Sequence, residues 1–425
     1  MATSNVDDLE ALCHELSVQV QALRTMDKTN DLFARQKATS TARKLMNELI
    51  HPEEVASEQT VILAEWAAIR MFMQWKFFDK IPLEGSMSYQ ELASSVDAEY
   101  ALVSRLGQVL VSTGKLLQPA PKHVAHSRLS PSYRTGDRNG SSFAMNHDDF
   151  QPVFSSLPDY FKKYGPRLPR GKTNIPICFA YGADGRLDPW EVLAERGAEH
   201  IERFGLAMQA LTNTMWPYTG AYDFTWVGEY AATNQERPLI VDVGGSYGHA
   251  LRANLVEFSG IPPARCIVED REEMIPLIRE AHATDTIMKD VQKAKADFHS
   301  EQPVKGKHRP SIIISVHIPG ALIYFIRRCI HDYDDDDCVN ILKILAGSLP
   351  DDEPRARILI NEQIMTDSPH RFVAAMDMIM MVFASKERSE QEFEKLANRA
   401  GLVVVKVHKP EDATMGVVEC KKAST

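Results

Sequence analysis

The sequence predicts an α/β protein in which a parallel sheet with helices on both faces follows an N-terminal helical domain. Two observations carry this. From Pro238 onward, short apolar strands alternate with helical segments, the pattern of a crossover-connected parallel sheet. Upstream of Gly114, apolar residues recur instead at three- and four-residue spacing, and this region closes on helix, turn, helix and short ribbon. At 425 residues, with 44% hydrophobic and 25% charged, the chain can bury sizeable cores and is neither disordered nor fibrous. The expected division is a helical domain over 1–150, a helical connector contributing to a substrate pocket over 151–235, and the sheet domain over 236–425.

Residues 7 to about 50 read as helical, with Leu9, Leu12, Leu16, Val20 and Leu23 on one face. Glu58 to Phe78 is a second, more apolar helix, ended by Pro82. Ser88 precedes Glu91 by three residues, a capping box. A helix from Glu99 to Thr113 stops at Gly114, and Lys115-Leu-Leu-Gln reads as a short strand. This is a winged-helix order. Ser130 to Pro189, rich in Pro, Gly, Ser and Asn, reads as a loop-rich connector with short helices, followed by a helix from Trp190 to Met215. Then come the strands Leu239 to Val243, Arg265 to Asp270, Ala321 to Ile326, Ala356 to Ile360 and Val403 to Val407. The helices Ala250 to Phe258, Asp335 to Leu345 and Ser389 to Ala400 lie between them.

Forty-eight basic against 58 acidic residues leave a net charge of −10. Such a chain is a poor non-specific partner for nucleic acid or an anionic membrane. The second helix of the winged-helix segment carries one arginine, Arg105, too few for a DNA-reading helix. A winged helix used for dimerisation fits better. The six cysteines form no CxxC and no zinc pattern, so they read as free thiols in a reducing cytosol. No stretch has the form of a signal peptide or a bilayer span, and a cytoplasmic protein is expected.

Four segments carry chemistry. Asp242-Val-Gly244-Gly245-Ser246-Tyr-Gly248 lies where a strand yields to a helix, so backbone N–H groups and bare glycines meet a ligand there. Asp242 could hold an ammonium group. Asp270, ending the next strand, suits two ribose hydroxyls, although it could simply cap the following helix. Gly244, Ser246 and Gly248, running at every second residue, favour S-adenosylmethionine over a dinucleotide. The second segment holds His331-Asp332 after an apolar strand, at the edge where α/β enzymes act, and His331 is a plausible general base. Asp334 to Asp337 reads as an acidic helix start rather than a metal site, and no metal is expected. Third and fourth come Glu362, ending a strand, and Glu387, in Ser385-Lys-Glu-Arg-Ser389. Both could flank an imidazole and hold its tautomer, while Glu387 and Arg388 by themselves look like a solvated helix start. The methionine-rich helix around Met376-Asp377-Met378-Ile-Met380 suits either core or adaptable contact with flat apolar substrates.

Taken together and in this order, these segments resemble the fungal members of the class II, caffeate-type O-methyltransferases, over about Val61 to Val418. The resemblance implies a Rossmann-like sheet that binds S-adenosylmethionine, a winged-helix dimerisation domain and a homodimer. It implies that Gly244, Gly245 and Asp270 hold the cofactor, beside Asp242, Ser246 and Gly248. Asp297 and Phe298 match an acid–aromatic pair beside adenine, and Arg327 the basic residue four before the histidine. His331 matches the base, Glu362 and Glu387 its flanking acids, and Met376, Asp377 and Met380 the acceptor pocket. The acceptor would be a hydroxylated aromatic or alkaloid-like metabolite. Two rival readings share the resemblance: a cofactor-binding pericyclase or dehydratase, and a catalytically silent binding protein. Two departures stand out. Ser246 replaces the middle glycine, and about thirteen residues, Lys307 to Pro319, look inserted before the histidine strand.

Overall fold

The computed structural model describes residues 6–25, 28–215, 221–299, 320–410 and 413–423. They form two compact units. One comprises the described residues up to Pro152 together with Arg196–Leu211, and the other Val153–Glu195 with the described residues from Thr212 onward.

The larger unit is built on one seven-stranded sheet. We number its strands β1 Ile240–Val243, β2 Cys266–Asp270, β3 Gln292–Lys295, β4 Ile323–Arg327, β5 Arg357–Glu362, β6 Leu402–His408 and β7 Gly416–Lys422. The order across the sheet is β6-β7-β5-β4-β1-β2-β3. β1 pairs in parallel with both β2 and β4, and β5 in parallel with β4. β7 runs antiparallel to β5 and β6. The sheet is therefore mixed, where the sequence predicts a parallel one. β3 and β7 are additional to the predicted strands; β3, Gln-Lys-Ala-Lys, has no apolar run to betray it.

β1 is buried throughout, because both faces are covered. One apolar layer joins Val241, Val243, Ile326 and Ile358 to helices Asp335–Ser348 and Glu390–Arg399. The opposite layer joins Ile240, Val268, Phe325 and Leu359 to helices Thr225–Thr233, His249–Glu257 and Met274–His282. The chain runs outward from β1 to β2 and β3 on one side, then returns to β4 and β5 on the other. Strand order thus reverses between β1 and β4, and their carboxyl ends frame a crevice. β6 forms one edge, with a bulge that leaves Val405 unpaired between Val404 and Lys406.

In the smaller unit the predicted leading helix is two helices, Val6–Ala22 and Lys28–Leu49, packed on each other. Ser88 and Glu91 make the capping box. Helices Tyr89–Ser94 and Tyr100–Ser112 are followed by strands Leu116–Leu117 and His123–His126; the latter is the central strand, paired with Leu116–Leu117 on one side and Met87–Ser88 on the other. Ile69, Phe72, Phe77, Phe78, Leu92 and Leu110 fill the core.

The connector holds the expected short helix, Arg138–Met145, and in addition a π-turn at Asn146–Phe150 and a longer helix, Gln151–Tyr164, which accepts Pro158 in its interior. Its polar residues are not loop signals. Asp148 and Asp149 pair with Arg70, Arg196 and Arg203. The helix expected from Trp190 to Met215 is broken by Gly197, at φ +99°, into Pro189–Glu195 and Ala198–Thr214. Lys307 to Pro319 lies outside the described residues. No helix among the described residues is long and apolar enough to cross a membrane.

Candidate active site

Two groups of residues meet the carboxyl ends of the central strands. The first follows β1. Gly244 takes φ +65°, and a Cβ there would lie 3.0 Å from the Phe298 ring and 3.2 Å from Cys329 Sγ. A Cβ on Gly245 would lie 2.6 Å from the Asp242 carboxylate. Larger residues would fill this cradle. Ser246 adopts φ +50°, a region L-residues avoid, and its N–H donates to Asp270 Oδ2 at 2.8 Å. Gly248 precedes helix His249–Glu257 as its N-cap. Asp270, at the end of β2, also accepts the Arg271 N–H at 2.8 Å. Both of its oxygens retain lone pairs for further donors.

Asp242 is 1% exposed, and its Oδ2 has no hydrogen-bond partner among the described residues. Burial pushes its carboxyl up to about 7, a rise that Arg327 opposes and Asp270 reinforces. A buried acid with one oxygen unpaired, beside a bare-glycine turn, is poised for a cationic ligand. Phe298 stands against Tyr333 at 6.0 Å between centroids and, with Cys329, walls the Gly244 turn. Asp297 is exposed and accepts the His299 N–H. These features fit S-adenosylmethionine. The acid would take its ammonium, Asp270 the ribose and Phe298 the base.

The second group follows β4 and β5. His331 is 5% exposed, and its Nδ1 lies 3.1 Å from Glu387 Oε1. That contact assigns the proton to Nδ1 and leaves Nε2 as the lone-pair nitrogen. Asp332 Oδ1 is 3.4 Å from Nε2. Glu362 Oε1 accepts the N–H groups of Cys329 and Ile330, each at 2.9 Å, and so shapes the turn that carries His331. Asp377 Oδ1 accepts the Glu387 N–H at 2.9 Å, while Met376 and Met380 are buried one turn apart.

Sequence reasoning misses two residues here. Arg328, at φ +53°, extends Nη1 to Glu387 Oε1 at 2.8 Å and to Gln363 Oε1 at 3.2 Å. Arg388, read from sequence as part of a solvated helix start, is 1% exposed. Its guanidinium donates to the carbonyls of Ile330 and Tyr333 and to Asp335 Oδ1. Glu387 is likewise buried, not solvated. The signal available was weak: each basic residue sits inside a segment already marked by its neighbours.

Burial pushes both glutamates up. At Glu387 the Arg328 guanidinium and His331 overcome it and hold the carboxyl below its usual range, whereas at Glu362 burial prevails. Burial and Arg328 favour the neutral His331 ring, but Asp332, Glu362 and Glu387 outweigh them and raise its proton affinity above the ordinary value. The donor atoms of His331, Glu362 and Glu387 lie within 4.8 Å of one another, close enough for a cation to bridge. The Arg328 guanidinium already supplies a positive charge there.

Comparison with known proteins identifies the family of the chain. The O-methyltransferase domain family matches residues 230–403. Methyltransferase cfoD of Aspergillus candidus is 43% identical over 98% of this chain and 99% of its own. Among solved structures, OxaC in complex with SAH and oxaline covers 98% of this chain and 99% of that chain, at 22% identity and TM-score 0.77. A protein described as a pericyclic reaction enzyme covers 98% and 100%, at 20% identity and TM-score 0.79. At these identities the two structures show the fold alone.

Proposed function

We propose, since the chain belongs to the O-methyltransferase family, that it moves the methyl group of S-adenosylmethionine to a hydroxyl oxygen of a fungal secondary metabolite, with His331 as general base. The observation that carries this reading is the buried Arg328–Glu387–His331 relay, joined to the glycine turn through Cys329, whose Sγ lies 4.0 Å from the Gly244 carbonyl. The sulfonium supplies an already activated methyl group, so the chain's task is alignment and removal of one proton. Asp242, the Gly244–Gly248 turn and Asp270 bind the donor, with Arg327, Asp297 and Phe298 beside it. Met376, Asp377 and Met380 bound the acceptor side. His331 Nε2 takes the hydroxyl proton, and Glu387 stabilises the imidazolium that results. Glu362 keeps the His331 turn in place.

The acceptor is read as an aromatic or alkaloid-like molecule carrying a phenol, enol or N-hydroxyl. A homodimer through the smaller unit is part of the proposal. Val55, Val61, Ile62 and Leu63 are exposed on one of its helices, and an apolar surface of that kind favours a partner copy. Calorimetric titration with S-adenosylmethionine and S-adenosylhomocysteine tests the donor site. Incubation with hydroxylated metabolites should then add one methyl mass. A product of unchanged mass, formed only with the cofactor bound, would instead favour the pericyclic reading.

A further inference from the structure

Two buried glutamates beside one histidine pose an electrostatic problem. Glu362 and Glu387 are fully buried, and each has an Oε2 with no hydrogen-bond partner among the described residues. Like charges this close and this dry cannot both stay ionised without a counter-charge. A protonated His331 would supply that counter-charge. A histidine that holds a proton for two carboxylates cannot take another from a substrate.

Arg328 occupies the position that resolves this. Its Nη1 reaches Glu387 Oε1 at 2.8 Å, the same oxygen that faces His331 Nδ1, and lies 3.9 Å from Glu362 Oε2. Gln363 Oε1 fixes the guanidinium from a third side. The backbone is bent to put it there. Arg328 takes a left-handed φ of +53°, with its N–H on the Asn361 carbonyl at 3.1 Å. A non-glycine residue in that region is strained and persists only where its surroundings hold it.

We propose that Arg328 is a positioning residue for the general base: it fixes the Glu387 carboxylate against His331 and separates the two glutamates, so that the imidazole reaches the neutral form. The proposal rests on the assignment of His331 as the base. The charged groups that face the imidazole are Arg328 and Asp332 from its own loop, Glu362 from β5, and Glu387 ahead of helix Glu390–Arg399. Arg328 is the cation among them. It opposes protonation of the ring, so its removal raises the proton affinity of His331.

The test is NMR titration of histidine-labelled protein, with the His331 signal identified by its absence in His331→Gln. Arg328→Gln should move the His331 midpoint upward by about 1–3 pH units. Arg328→Lys, which keeps the charge but not the fork, should restore part of that shift. S-adenosylhomocysteine affinity should stay within about threefold in both variants, a change of under 1 kcal/mol. An unmoved or lowered midpoint in Arg328→Gln overturns the proposal. If that variant does not fold, Arg328→Lys decides: a midpoint equal to the native one, or below it, overturns the proposal. Failure of the methyltransfer reading would appear separately, as no methyl gain with any acceptor while the His331 shift persists.

Discussion

The two halves of the site solve opposite problems. The glycine side, after β1 and β2, is made mainly of backbone: a turn with left-handed Gly244, Ser246 and Gly248, a half-buried Asp270, and an Asp242 with one oxygen left unpaired. The histidine side, after β4 and β5, is made of side chains bonded to one another, with Arg328, Glu387 and His331 in hydrogen-bond sequence and one oxygen of each glutamate left over. The first half is arranged for a ligand to complete it. The second is organised before any ligand arrives. Catalytic groups gain from such preorganisation because their charges need not rearrange during reaction.

The sharpest way to separate the halves is His331→Ala. Turnover should fall by roughly 10²–10⁴-fold, as general-base contributions do, with cofactor affinity unchanged. Normal turnover in this variant would remove His331 from the chemistry. Next in size is Arg388→Met. It removes one of the donors to the carbonyls of Ile330 and Tyr333, which keep the Cys338 thiol, and leaves Asp335, itself partly exposed, without its main partner. Unfolding free energy should drop by about 2–4 kcal/mol in denaturant titration. A drop below about 0.5 kcal/mol, typical of surface changes, would show that this guanidinium is dispensable.

On the glycine side, Asp270→Ala should weaken S-adenosylmethionine binding by about tenfold, the effect of one lost charge-assisted hydrogen bond, without changing the rate at saturation. Equal affinity in calorimetry would take Asp270 out of the donor site.

The smallest effect is the most discriminating, because the two halves titrate apart. Asp242, held up to about 7, is neutral below that pH and ionised above it, so donor affinity should rise as pH passes through 7. His331 has its proton affinity raised, so the rate at saturation should climb with pH and reach its plateau above the ordinary histidine value of about 6.5. Asp242→Asn should flatten the affinity curve and leave the rate curve in place. If it moves both, the halves are not independent.

The glycine side was legible in the sequence because its information is local. A strand, a glycine turn and an acid at the next strand end are neighbours in the chain. His331 and Glu362 were legible for the same reason, each closing an apolar strand. Arg328 and Arg388 were not. Their burial is decided by partners 59 and 58 residues away, Glu387 and Ile330, and no local pattern encodes that. The same holds for β7, which inserts between β5 and β6 although it follows both in the chain. The π-turn was hidden because Asp148 and Asp149, loop-like by composition, find their cations far along the sequence.

The bulge in β6 has a consequence for solubility. An outermost strand offers unpaired N–H and C=O groups to any passing chain, and here Val403 and Val405 are also exposed. The extra residue at Val405 twists that rim out of register, and Lys406 beside it places a charge on the rim. An intruding strand would meet an interrupted ladder and a desolvation penalty at once. Deleting Val405 would straighten the rim into a template for ordered aggregation.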